Sequence, residues 1–186
     1  MLVGGGTVAA RLQPPSFDPL TDTVSALAAV GAADRWVMTV TFLVVAVCDV
    51  VTAVALRPAR AAGRLILVAG SVAGMLVAVN PEHGGGSLSH AIWALIGFGG
   101  LAFWPAAAWR RGPSVPWGLR PAACACAVAV LVTLTAWFGI EVATGGGQAG
   151  LAERIIGVVQ ALWLLTVVLS CRFPSRAATG STAWAR

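Results

Sequence analysis

Five long apolar runs leave this chain few folds to choose from. They cover about residues 36–56, 63–79, 90–109, 121–140 and 155–171. An α-helix rises 1.5 Å per residue, so about 20 residues cross the roughly 30 Å hydrocarbon layer of a bilayer. That layer holds no water to take up a free N–H or C=O, so each run must be a helix that satisfies its own backbone. The run at 63–79 is short, and reaches across if Arg64 extends its charged end to the interface. With 58% hydrophobic and 10% charged residues, and a mean hydropathy of +0.85, the chain lies outside the range of soluble domains. The expected fold class is all-α: a polytopic transmembrane bundle of five complete spans in one domain, residues 1–172, with a polar tail at 173–186.

Charge orders these spans. All twelve basic residues are arginine, and they sit singly or in small groups between apolar runs. The pI near 10.3 therefore marks topology rather than nucleic acid, since no basic face interleaved with aromatics exists to bind it. Arg57, Arg60, Arg64, Arg110, Arg111, Arg120, Arg172, Arg176 and Arg186 fall on one side; Arg11, Arg35 and Arg154 fall on the other. By the positive-inside rule the first group is cytoplasmic, which puts the C-terminus inside a plasma membrane. Asp18, Asp22, Asp34, Glu82, Glu141 and Glu153 all fall on the opposite, outward side. Five spans then leave the N-terminal segment outside, and a sixth is needed to bring it in. Met1–Arg11 is apolar but too short to span and lacks the charged start of a signal peptide. It reads as the end of a first helix whose beginning is missing, or as a vestigial helix.

The densest polar block is Pro14–Ser25, on the outward side. Asp22 is the expected N-cap of a short surface helix over Thr23–Val30 that Gly31 closes. Asp34 is expected to cap the next span, and Ser89 or Ser87 the third. Cys48, Cys124, Cys126 and Cys171 lie in apolar runs and read as small hydrophobic residues; their spacing fits neither a disulfide framework nor a zinc site.

Asp18-Pro-Leu-x-Asp-Thr-Val-Ser-x-Leu, followed by Arg35-Trp-Val-Met-Thr, resembles the bacterial and archaeal membrane family catalogued as domain of unknown function 998. His90 at a helix start and Gly150-Leu-Ala-Glu-Arg154 before the last span are similar too. The resemblance runs from about Pro14 to Arg172 and implies a six-helix membrane protein with no assigned reaction. This chain departs from it in lacking most of the first helix.

Asp18, Asp22, Ser25, Glu82, His83, His90, Glu153 and Arg154 form the candidate outward pocket. Such groups suit a lipid headgroup or a small ligand. A metal-dependent hydrolase acting on a lipid is the alternative, because His nitrogens and carboxylate oxygens that converge can hold a divalent metal and activate water. No ligand spacing ties the two histidines to one helix face, so no cofactor is evident from the pattern alone. The other reading of these acids is as caps and solvated loop groups, and of Glu153–Arg154 as an ion pair gripping the Pro-rich block. Asp49 lies inside a span, where an unpaired acid costs about 2.5–3.5 kcal/mol, so it should face the bundle and find a partner such as a threonine or Arg64. Either a relay or substrate role, or a purely structural one, fits it. Gly70, Gly74 and Ala78 recur every four residues, which lets a neighbouring helix approach closely. If that stripe faced outward, the chain could be an accessory subunit of other membrane proteins. Trp36, Trp104, Trp109 and Trp137 are expected in the interfacial belts, and Trp163 in the core.

Overall fold

The computed structural model describes residues 1–83 and 87–173. The expected polar tail, with Arg176 and Arg186, lies outside the described residues. Every regular element among the described residues is helical: α1 Leu2–Arg11, α2 Trp36–Ala55, α3 Ala61–Val79, α4 Leu88–Ala108, α5 Pro121–Thr144 and α6 Ala149–Arg172, with single 3-10 turns at Ser25–Ala28 and Trp117–Leu119. Helices α2 to α6 have 20, 19, 21, 24 and 24 residues and are long and apolar enough to cross a membrane. The chain is a multi-pass helical membrane protein.

Consecutive helices pack in order from α2 to α6, and the short α1 bridges α6 and α2. The closest approach is between α3 and α4. A β-carbon on Gly100 would stand 2.7 Å from the Gly70 Cα, and one on Gly63 would stand 2.5 Å from the Ala108 Cα. Only glycine allows the backbones to come so near. The small-residue stripe is therefore consumed within the chain: Gly70 and Ala78 are buried and Gly74 is half-buried. This removes the argument that the stripe made for an accessory subunit, because α4 of the same chain packs on it.

Helix ends follow local chemistry. Pro121 opens α5, where its missing N–H is no loss, and Gly145 closes it at φ 65° in the left-handed region. The Ser87 hydroxyl accepts from the His90 N–H at 3.4 Å and caps α4. Two expected caps are corrected. Asp34 adopts φ 45°, and α2 begins at an Arg35 N-cap that no side chain bonds. Thr23, not Asp22, serves the 3-10 turn, its hydroxyl accepting from the Ala26 N–H at 3.0 Å. The expected surface helix shrinks to that one turn. The Gly-rich connection before the last span shortens too, because α6 starts at Ala149 and takes in Glu153 and Arg154.

Trp36 is exposed, with the Arg35 guanidinium 4.5 Å above its ring. Trp104 differs from its belt expectation: it is fully buried with Leu67, Leu119 and Val167 in the core near the arginine-rich end. A second core, of Ala9, Val24, Leu27, Ala28 and Met38, seals α1 and the 3-10 turn against α2 at the acidic end.

Candidate functional site

The first turn of α6 holds the Pro14–Ser25 segment. Gly150 and Leu151 donate their N–H groups to the Thr21 and Leu20 carbonyls at 3.2 and 3.0 Å. These are donors that a helix start leaves unpaired, so the loop backbone acts as the cap. A β-carbon at Gly150 would be driven into the Asp22 carbonyl and would stand 2.7 Å from that of Pro19.

Glu153 is buried one turn into α6. Its carboxylate accepts from the Ser25 hydroxyl at 2.7 Å, from the Ser25 N–H at 3.2 Å and from the Val24 N–H. Three donors converging on one carboxylate explain how an acid is tolerated there. Arg154 turns the other way. Its Nη1 donates to the carbonyls of Pro19, Asp22 and Gly150, each at 2.8 Å. The expected grip on the Pro-rich block exists, but the two residues hold separate parts of it rather than pairing with each other.

The other candidate residues divide between two places. Asp18 and Asp22 fold their own loop: the Asp18 N–H donates to Asp22 Oδ2 at 2.8 Å, and the Leu20 N–H to Asp18 Oδ1 at 2.9 Å. Glu82 and His90 form a separate latch between α3 and α4. His90 is buried, with Nε2 3.1 Å from Glu82 Oε1 and Nδ1 2.9 Å from the Asn80 carbonyl oxygen. The Glu82 carbonyl accepts from the Val30 N–H at 2.9 Å, so the latch also fastens the loop before α2. His83 is exposed beside it. Among the described residues no three His, Cys, Asp or Glu side chains stand close enough to hold one metal ion. Asp18, Asp22, Glu82, His90 and Glu153 each help to fasten a loop, and His83 is exposed.

What lies between the helices was not visible in the motifs. A cavity of about 540 Å³ is lined by all the helices except α5. Arg11, Pro19, Ser25, Glu153 and Arg154 line its acidic end, and Leu67, Trp104 and Leu164 line its far end. Glu153 and Leu164 are eleven residues apart on α6, a separation of roughly 16 Å along the axis. The walls between are mainly apolar, with Phe42, Val45 and Val158 among them. Asp49, Ser71 and Gln160 interrupt them. The Ser71 hydroxyl donates to the Leu67 carbonyl at 2.8 Å, and the Gln160 amide to that of Phe98 at 3.4 Å.

Asp49 lines this cavity, half-buried. Arg64, the partner expected for it, is occupied elsewhere. Its Nε and Nη2 donate to the Ala53 and Val54 carbonyls at 2.8 and 2.7 Å, satisfying the C-terminal turn of α2. Threonine does not serve either, since the Thr52 hydroxyl donates to the Cys48 carbonyl at 2.7 Å. Among the described residues the Asp49 carboxylate makes no hydrogen bond and no ion pair.

No curated protein and no solved structure matches the chain. A family model described as protein of unknown function, DUF998, matches residues 1–170, nearly the whole length. With its six helices and five membrane-length spans in view, the chain belongs to the DUF998 family of proteins of unknown function.

Proposed function

We propose that this protein binds a lipid or another amphiphilic small molecule, with the ligand's apolar body in the cavity between α1, α2, α3, α4 and α6. One observation carries the reading: a space of about 540 Å³ with mainly apolar walls and a few inward polar groups. Small-molecule sites fall in the range of roughly 300–1,000 Å³ and share that character. The loop groups first singled out then act as supports, with Ser25, Glu153 and Arg154 shaping the acidic end of the cavity. The reading also takes the membrane to be the plasma membrane of a bacterial cell, with the acidic end outward and the C-terminus cytoplasmic. The arginine asymmetry between the two ends supports that orientation.

Native mass spectrometry of the purified full chain tests it. Wild type is expected to retain a bound lipid or amphiphile. Gly74→Leu, whose new side chain starts in open space on the cavity wall, and Ala161→Trp, on the α6 wall, are both expected to lose it while unfolding at the wild-type temperature. Equal retention in wild type and both variants would overturn the proposal.

A further inference from the structure

The charged groups around the cavity are not equally available to a ligand. Both Glu153 oxygens accept hydrogen bonds from Val24 and Ser25, and Arg154 Nη1 is shared among three carbonyls. A ligand that recruited them would have to break the clasp between α6 and the Pro14–Ser25 segment. Arg11 is also unpartnered among the described residues but is exposed at the acidic end, whereas Asp49 faces the cavity deep within it and has no partner among the described residues. Arg64, the cation expected beside it, is bound to backbone carbonyls of α2.

The location sharpens this. Asp49 is six residues before the end of α2 at Ala55, and Leu67 is six residues after the start of α3 at Ala61. Because α2 and α3 run antiparallel, the carboxylate stands level with the apolar far end of the cavity. A carboxylate in such surroundings is stabilised most by a cation with N–H donors brought close to it. Resting on the amphiphile reading above, we infer that the ligand is a lipophilic amine whose ammonium group pairs with Asp49, while its apolar body lies along the walls toward the acidic end. A neutral alcohol of the same shape fills the same space but gives Asp49 only a single uncharged donor.

Photolabelling separates the two levels of the claim. The full chain in phosphatidylcholine nanodiscs is exposed to a diazirine-bearing decylamine or to the matched decanol, and labelled residues are mapped by mass spectrometry. In wild type both probes are expected to label cavity walls such as Val45 and Val158, the amine at about tenfold lower concentration. In Asp49→Asn the advantage should fall below about twofold, with alcohol labelling unchanged as the control for an intact cavity. Asp49→Glu should restore the amine preference. Equal labelling by the two probes in wild type, or an amine preference that persists in Asp49→Asn, would overturn the amine inference and leave the amphiphile reading standing. Labelling of the cavity by neither probe would remove both.

Discussion

A carboxylate buried among hydrocarbon is stable only as far as its donors reach it, and Glu153 has three, all from two consecutive residues. Replacing Glu153 with alanine leaves the Val24 and Ser25 N–H groups and the Ser25 hydroxyl without their acceptor. The expected loss is about 2–3 kcal/mol, against about 1 kcal/mol for Ser25→Ala, which removes one bond. Unfolding of both variants by denaturant in detergent checks the order. Gly150→Ala should also destabilise, by about 1–3 kcal/mol, since its β-carbon meets the Asp22 and Pro19 carbonyls. Asp22→Asn keeps an oxygen for the Asp18 N–H and should change stability by less than about 0.5 kcal/mol. The polar residues of this end were legible in the sequence as a group, and their partners were not. Ser25 and Glu153 are separated by 128 positions, and no periodicity links residues on different elements. Gln13 drew no attention at all, although its amide bonds Ala33 in both directions, at 2.9 and 3.1 Å.

At the scale of elements, hydropathy located every long helix but not where each stops. Apolar character fades at Ile140 and resumes at Ile155, yet α5 runs to Thr144 and α6 begins at Ala149. Backbone bonding decides those ends: the α6 start is capped by carbonyls from residues 20 and 21. The glycine stripe shows the same limit. Its spacing announces a close helix neighbour but cannot say which one, and α4 of the same chain takes the place. Gly100→Val should therefore push α3 and α4 apart and destabilise by at least about 1–3 kcal/mol. Gly99→Ala, where a β-carbon has no neighbour within 4 Å, should stay within about 0.5 kcal/mol of wild type. Thermal unfolding of the pair reads the difference, and equal effects would contradict the packing.

Across the whole molecule, the alternation of charge makes a direct topological prediction. In a background with the four native cysteines replaced, a thiol at Ser87 should react with an impermeant reagent added to intact cells. One at Ser114 should react only after the cells are opened. The reverse pattern would invert the molecule. The cavity belongs to this scale as well, which is why the sequence did not reveal it. Val45, Val158 and Leu164 read as apolar residues of spans whether they face lipid, a packed core or an internal space. Only Asp49 hinted at it, through the expense of placing an acid inside a span. The central claim is that this space holds an amphiphile, and a crystal structure of the full chain grown from a lipid mesophase tests it most directly. The account predicts continuous non-protein density from Arg154 to Trp104, passing Asp49. A bundle in which α2 and α6 close on each other and leave no space between them would contradict it.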